Sequence, residues 1–398
     1  MRLMPCAKYA PASQGTRGRW NSKTKLPLLD GIGTTEIVPH VTLGMIRQIP
    51  GWLIDPLGPV HLRWRHLPNM WRWLFDALAA SRASNVRAIA TAQHVLLEQT
   101  YNDLEKMLAH IGLSHVLHRR GALTVYKTEH GFAMENAAWS MRTEFGIPWN
   151  KVSRKQIHEF EPDLGDCFDV GVYTPDWGHV DDPFEIAKGL AMYCRKQGAK
   201  VVRSKVTACD AARNMIYTTD GEAVSYDHVV VAAGVWSKPL VAQLGWNVPL
   251  ESERGYNVTL PAPGVSFNNE VIFGDMKFVA TPLTLGLRIG GAAEFAGINS
   301  PPNYARSDAM LQLAAKVIPG LNPSGATQWM GHRPTLPDTL PVIGRSPEHG
   351  NVYFAFGHSH LGLTQAATTG RLISMMVAGE PLGMDMEPYG IQRFYKRS

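Results

Sequence analysis

The feature that most constrains the fold is an apolar run near the middle of the sequence, HVVVAAG at 228–234. Three consecutive valines are typical of a strand that is buried on both faces of a sheet, because such a strand has no polar side. Ala232, Ala233 and Gly234 then remove side-chain bulk at the end of the strand, where a ligand can approach the backbone. We therefore predict a buried strand that ends at a ligand site.

The elements before this run fit the same kind of domain. Asp182 and Pro183 predict the N-cap and the first residue of a helix, and Gly198 predicts its end. The segment KVVRSKV at 200–206 reads as a strand. A helix, a strand and a buried strand in this order indicate part of an α/β nucleotide-binding domain.

The next part of the chain has a different pattern. Between residues 246 and 330, short β-rich runs alternate with Pro and Gly turns and predict a largely antiparallel sheet: YNVTL, EVIFG, KFVAT and LRIGG. The chain then returns to a Pro-rich loop at 331–348, a strand at 351–357 and a helix at 363–379. That helix is predicted to bury one face, made of Leu363, Ala366, Ala367, Gly370, Ile373 and Val377.

The first half of the chain contains a predicted helix at 86–111 and a strand at 122–127. Before them, residues 44–80 hold four tryptophans interleaved with arginines: Trp52, Trp64, Trp71 and Trp73. These aromatics indicate either a membrane-contact surface or packing between domains. The prolines of the segment interrupt any long amphipathic helix and favour packing.

Charge and cysteine content exclude several functional classes. The net charge of +5 comes from residues 1–30, which carry six basic side chains and one acidic one, and the rest of the chain is neutral. This balance argues against nucleic-acid binding. The four scattered cysteines form neither a disulfide framework nor a metal cluster, so we predict no metal site and a reducing cytoplasm.

Three sequence blocks together resemble a known family. VVVAAGVWS at 229–237, GHRPTLPDTLPVIG at 331–344 and GHSHLGLTQAATTG at 357–370 are similar in order and separation to blocks of FAD-dependent oxidoreductases. That family includes D-amino-acid dehydrogenases, glycine oxidase and sarcosine oxidase. The resemblance covers residues 31–398. The segment GIGTTEIVPHVTLGMIRQIPGWLIDPLGP at 31–59, together with ERGYNV at 253–258, is most similar to the D-amino-acid dehydrogenase branch, including dehydrogenases of D-hydroxyproline type.

The resemblance implies an α/β fold with two interleaved domains. One is an FAD-binding, Rossmann-like domain of glutathione-reductase type that is incomplete at its N-terminus, and the other is an α+β substrate domain with a mostly antiparallel sheet. The expected boundaries are 1–30 for an unmatched basic tail, 31–60 for a remnant of the FAD-binding region, 61–165 and 246–330 for the substrate domain, and 166–245 and 331–398 for the FAD-binding domain.

The resemblance also implies a reaction. A hydride would pass from the α-carbon of a D-amino acid, or of a related secondary amine, to FAD. The imino acid would then hydrolyse to a 2-oxo acid and ammonia. Both oxygen and a respiratory acceptor remain open as the electron acceptor. The expected location is the cytoplasm, with peripheral contact with the inner face of the membrane as an alternative.

For substrate binding, the family pattern points to Arg333, whose guanidinium suits two-point contact with a carboxylate. The alternative is an ion pair between Arg333 and Asp338. Tyr256, His358 and His360 are further candidates for closing over the substrate, with structural roles as alternatives. No general base is visible in the sequence.

For the cofactor, the resemblance places the turn at 357–362 and the following helix against the flavin ring, where the helix N-terminus favours negative charge. Val206 would contact the adenine portion. The remaining residues expected to bind FAD are Ala233, Gly234, Trp236, Gly331, Gly357, His358, Gly362, Leu363 and Thr364.

The sequence departs from the family at its start. It contains no G-x-G-x-x-G string, and GIGTTE at 31–36 runs into IVPH instead of a helix, so we reject it as a phosphate loop. We hypothesise that residues 1–30 come from a shifted reading frame, a wrong start or a truncated gene. The alternative function is then a degenerate family member that holds no flavin.

Overall fold

The computed structural model describes residues 31–39 and 55–394. The predictions on residues 1–30 and on Trp52 lie outside this part of the chain. The strands are β1 (Gly31–Ile32), β2 (Val60–Leu62), β3 (Leu117–His118), β4 (Ala122–Tyr126), β5 (Asn150–Ser153), β6 (Val170–Thr174), β7 (Gly178–Val180), β8 (Val206–Asp210), β9 (Met215–Thr218), β10 (Ala223–Ser225), β11 (Val229–Val231), β12 (Glu251–Leu260), β13 (Glu270–Phe273), β14 (Phe278–Leu283), β15 (Gly286–Phe295), β16 (Thr327–Thr335), β17 (Val342–Arg345) and β18 (Val352–Phe356). The α-helices are α1 (Leu67–Ala80), α2 (Ala83–Glu98), α3 (Thr100–His110), α4 (Glu129–Met134), α5 (Asn136–Glu144), α6 (Arg154–Phe160), α7 (Pro183–Lys196), α8 (Ser237–Gln243), α9 (Ala305–Ala315) and α10 (Gly362–Ala378).

The largest sheet has the strand order β16-β12-β15-β14-β13-β4-β6-β5, and β2 also pairs with β15. The pairs within β12 to β16 are antiparallel, which confirms the prediction for residues 246–330. Buried apolar side chains cover one face, and the stacked rings of Phe273 and Phe278 lie 4.1 Å apart. The boundary predicted at residue 330 falls inside β16, so residues 331–335 continue this sheet.

A second sheet has the order β11-β18-β17, and β11 runs parallel to β18. Of the predicted buried strand, only Val229–Val231 is extended, and Val231 alone of the three valines is buried. Within the described residues, β11 forms one edge of this sheet, which leaves Val229 and Val230 half-buried. The α/β character predicted for this region is confirmed.

The predicted strand at 200–206 is wrong. Residues 200–205 are not extended into a sheet, and Val201 and Val202 are 47% and 41% exposed. The sheet β8-β9-β10 takes its first strand from Val206 onward, because residues 206–210 pair with β9. The strand therefore begins at Val206, where the predicted strand was expected to end.

The predicted helix at 86–111 is two helices, α2 and α3, with a break at Gln99. The break turns the two halves toward different partners. Leu96 of α2 belongs to the same buried cluster as Leu372 of α10, whereas Leu104 of α3 belongs to a second cluster with Leu363 at the start of α10. Both helices thus cover the helix that follows the second sheet.

Helix α10 forms as predicted, and three residues of its predicted buried face, Leu363, Ala367 and Ile373, are buried. Ala366 and Gly370 are exposed, while Gln365 and Thr368 are completely buried. The ion pair between Arg371 and Asp103 of α3, at 2.7 Å, fixes the side of α10 that faces the protein. Part of the polar face of α10, including Gln365 and Thr368, is therefore buried in the protein interior.

The Trp- and Arg-rich segment divides into buried and exposed residues. Trp73 is buried against Phe295, as the packing interpretation expects. Trp64 and Trp71, however, are 70% and 62% exposed, so that interpretation is wrong for them. No helix in the described residues is long and apolar enough to cross a membrane. Contact of this aromatic surface with a membrane stays a prediction.

Candidate active site

Arg333 was predicted to lie in a Pro-rich loop but lies in strand β16, directly opposite Glu253 of β12. Its Nη1 donates to Glu253 Oε1 at 3.0 Å, and both side chains are largely buried. Asp338 instead pairs with Arg393 at 2.7 Å. The alternative of an Arg333–Asp338 ion pair is therefore wrong, and the partner of Arg333 is Glu253.

The Arg333 guanidinium occupies the space beside Gly255 that a side chain at residue 255 would fill. A Cβ atom at residue 255 would stand 2.3 Å from Arg333 Cζ, so the guanidinium would have to move away from its present position. Glycine at this position therefore allows the arginine to lie across strand β12. The result is a guanidinium held on two rigid strands, a more precise support than a loop.

Glu253 links three side chains. Besides Arg333, its carboxylate accepts from His360 Nε2 at 2.6 Å and from Thr335 Oγ1 at 3.1 Å. His360 immediately precedes the N-cap of α10, Leu361. Glu253 was not among the predicted site residues, although an acidic residue two positions before Gly255 in an otherwise β-forming run is the signal that points to it.

Tyr256 belongs to a different cluster. Its hydroxyl donates to Glu294 Oε2 at 2.6 Å, and Glu294 also pairs with Arg63 at 2.7 Å and with Arg254 at 3.4 Å. Consecutive residues of a strand point to opposite faces, so Arg254 and Glu253 lie on opposite sides of β12. The structure therefore does not bring Tyr256 to Arg333.

Burial by itself raises the pKa of Glu294. Hydrogen bonds from Tyr256 and Arg63, together with the charges of Arg63 and Arg254, outweigh that effect and lower its pKa. The carboxylate is thus held ionised inside the sheet. Burial raises the pKa of Tyr256, so its phenol stays protonated and donates.

His358 contacts helix α10 rather than the Arg333 cluster. Its Nε2 lies 2.9 Å from Thr369 Oγ1, and burial lowers its pKa from 6.5 to about 4. The imidazole is therefore neutral at physiological pH. Its assignment as a catalytic residue stays a prediction.

The His358→Asn variant should be less sensitive to acid than the wild type. Because the folded-state pKa lies below the unfolded value, stability is full above pH 6.5 and is lost as the pH falls toward 4. Between about pH 7 and pH 5, His358 should contribute a loss of about 1 to 2 kcal/mol in the free energy of unfolding. Urea unfolding at both pH values measures this, and equal losses in both proteins would contradict it.

The ends of two parallel strands meet beside the cluster of Arg333, Glu253 and His360. Strands β11 and β18 are parallel, so Ala232–Gly234 and the turn at 357–361 leave the same edge of the sheet, where ligands bind in α/β folds. Gly234 has φ +56 and no atom within 4 Å of a Cβ position. At Gly362 the nearest such atom is His358 Cβ, 3.9 Å away. Backbone is thus accessible on both sides of this edge.

Several buried polar atoms at the same edge have no hydrogen-bond partner among the described residues. They lie in the turn before α10 and in its first two turns: Ser359 Oγ, both amide atoms of Gln365 and Thr368 Oγ1. Open glycine backbone, unsatisfied polar atoms and a helix N-terminus fit a flat ring with polar edges. The residues present therefore fit the flavin end of FAD.

The remaining predicted cofactor residues are spread more widely. Trp236 lies edge-on to His332 at 5.6 Å, Leu363 is buried, and Thr364 Oγ1 accepts from Gly33 N at 3.2 Å. Gly357 has φ +85, and a Cβ there would meet Leu336 at 2.5 Å. A Cβ at Gly331 would stand 1.9 Å from the Trp329 ring. Val206 begins β8, in another sheet.

The diphosphate end of the cofactor has less support. Gly31 and Ile32 form β1, which pairs antiparallel with β7, and residues 33–38 form turns rather than the start of a helix. This agrees with the rejection of GIGTTE as a phosphate loop. The described residues contain no G-x-G-x-x-G loop that opens a helix.

Comparison with known proteins points to one family. A family model described as FAD dependent oxidoreductase matches residues 57–376. A D-amino-acid oxidase of Bradyrhizobium diazoefficiens is 31% identical over 371 residues, which cover 91% of this chain and 88% of that protein. A D-amino acid dehydrogenase of Paramagnetospirillum magneticum is 29% identical, with 89% of this chain and 86% of that protein covered.

Solved structures share the fold. Glycine oxidase from Geobacillus kaustophilus matches with a TM-score of 0.68 and 21% identity, covering 76% of this chain and 83% of that one. L-proline dehydrogenase from P. horikoshii matches with a TM-score of 0.65 and 22% identity, with the same coverage of both chains. At these identities the likeness establishes the architecture alone.

Proposed function

The chain belongs to the family of FAD-dependent oxidoreductases, an amino-acid oxidoreductase family with FAD as its cofactor, and from this membership we propose that it oxidises D-amino acids or related secondary amines. The names of the related sequences support the D configuration, since they are a D-amino-acid oxidase and a D-amino acid dehydrogenase. The shared fold does not decide the configuration, because one structural neighbour is an L-proline dehydrogenase.

The observation that carries the proposal is the position of Arg333. The guanidinium is held on β16 and β12, and through Glu253 it is joined to His360 at the start of α10. In this proposal Arg333 binds the substrate carboxylate and so fixes the α-carbon relative to the edge formed by β11 and β18. FAD, when bound, accepts the hydride from that carbon.

The chain's own residues then have three tasks. Arg333 orients the substrate through charge-assisted hydrogen bonds. The first turn of α10 presents free backbone N–H groups and the positive end of the helix dipole, which stabilise developing negative charge. Ser359 and Leu361, both buried in the turn before α10, limit the entry of water.

The sequence also supports a second candidate. Because the chain contains no G-x-G-x-x-G string, this candidate is a degenerate family member that keeps the fold without holding FAD. The two candidates differ in a direct observable, bound flavin.

The proposal is tested by comparing enantiomers. With FAD added, D-alanine and D-proline should be oxidised with a kcat/KM at least about 10²-fold above that of their L-enantiomers, because a fixed carboxylate and hydride acceptor accommodate one configuration. Assays with oxygen and with a soluble quinone distinguish the two electron acceptors. Equal or greater turnover of the L-enantiomers would reject the D-specific proposal.

A further inference from the structure

The carboxylate of Glu253 is an unusual neighbour for an arginine that binds carboxylates. Glu253 faces Arg333 across β12 and β16, its side chain is 7% exposed, and it is fixed by the contacts with His360 and Thr335. The charge of Arg333 is therefore already matched inside the protein. A ligand that carries only a carboxylate therefore gains little attraction from Arg333, because Glu253 already neutralises the charge of the guanidinium.

We propose that Glu253 is a specificity-determining residue that selects ligands carrying a cationic amine beside the carboxylate and disfavours plain carboxylates and 2-hydroxy acids. This inference rests on the proposed function, and it names the substrate class of the same site. The carboxylate of a zwitterionic amino acid interacts favourably with Arg333, and its ammonium group interacts favourably with Glu253. A 2-hydroxy acid matches Arg333 but adds an uncompensated negative charge near Glu253.

The geometry supports a role in recognition as well as in folding. Glu253 Oε1 is shared by Arg333 Nη1 and His360 Nε2, so the carboxylate lies between the predicted carboxylate anchor and the loop that opens α10. The amine of an α-amino acid is attached to the carbon next to its carboxylate. A ligand held by Arg333 therefore carries its amine within the short range over which a buried carboxylate acts strongly.

The test uses two achiral ligands that cannot be oxidised because they lack an α-hydrogen. 2-Aminoisobutyrate carries the amine, and 2-hydroxyisobutyrate replaces it with a hydroxyl of similar size. Calorimetry on the FAD-supplemented protein at about pH 8, above the ordinary titration range of histidine, measures both dissociation constants without turnover. The wild type should bind the amine ligand at least about tenfold more tightly.

The Glu253→Gln variant should change the two affinities in opposite directions. Removing the charge frees Arg333, so the hydroxy acid should bind about tenfold more tightly, while the amino acid should bind about tenfold more weakly. Thr335→Val is the matched control, because it removes another contact of Glu253 without changing charge, and the ratio of the two affinities should stay the same.

Each result has a defined meaning. Equal weakening of both ligands in Glu253→Gln would assign Glu253 a purely structural role and overturn the inference. If that variant does not fold, the wild type still decides, because equal affinity for the two ligands overturns the inference without any mutation. A wild type that binds neither ligand would reject the proposed function itself, and the inference with it.

Discussion

Replacing Arg333 with methionine is expected to lower kcat/KM for a D-amino acid by about 10³-fold. Methionine keeps most of the side-chain volume but removes the charge-assisted hydrogen bonds to the substrate carboxylate, which corresponds to about 4 kcal/mol of lost binding in the transition state. It also leaves Glu253, now without its cation, beside the incoming carboxylate. Steady-state kinetics with added FAD measure the loss.

Two further variants test whether the loss depends on the guanidinium of Arg333 and not on removal of any arginine. Arg333→Lys keeps the charge without the planar two-point geometry, so we expect an intermediate loss of about 10- to 10²-fold. Arg345→Met removes an exposed arginine of β17 that binds the Gly350 carbonyl, and activity should stay within about twofold. A loss of less than tenfold in Arg333→Met, in a protein that remains folded, would exclude Arg333 as the carboxylate anchor.

Replacing Glu294 with alanine is expected to lower the free energy of unfolding by about 3 to 5 kcal/mol. Glu294 and Arg254 are completely buried, and Arg63 also pairs with the same carboxylate. Removing Glu294 leaves the Arg254 charge in the protein interior without its counter-charge. Chemical denaturation at neutral pH measures the difference from the wild type.

The pH dependence separates the charge from the lost volume. Because the pKa of Glu294 is lowered below its ordinary 4.5, its stabilisation is present at neutral pH and is lost as the pH falls through the folded-state pKa. The difference between wild type and Glu294→Ala should therefore narrow in acid. Tyr256→Phe removes the hydrogen bond to the same carboxylate and also the acceptor of the Asn303 N–H, so it should cost about 2 kcal/mol. If Glu294→Ala lowered the free energy of unfolding at neutral pH by less than about 1 kcal/mol, the buried ion pair would not have the importance assigned to it.

The antiparallel sheet was predictable because its strands are separated by Pro and Gly turns, which mark each end independently of tertiary contacts. Strand β16 was not, because Pro334 and Pro337 make residues 331–348 resemble a loop. Pro334 is tolerated since β16 lies at the edge of its sheet. Edge position depends on strand order, which local sequence does not encode.

The candidate site was predictable only in part for the same reason. Resemblance to a family pointed to Arg333, whereas Glu253 lies 80 residues away in sequence and meets it only through the pairing of β12 with β16. The buried face of α10 was predicted only in part, because apolar periodicity also selects Ala366 and Gly370, which are exposed. Packing against α3 and the second sheet instead buries Gln365 and Thr368.

The most direct test of the central claim is the visible absorption spectrum of the purified chain after incubation with FAD and removal of the unbound cofactor. We expect the spectrum of bound oxidised flavin, and anaerobic addition of D-alanine or D-proline should bleach it at least about 10²-fold faster than the L-enantiomers do. A colourless protein would contradict the account, because this chain would then keep the fold of the family without its cofactor.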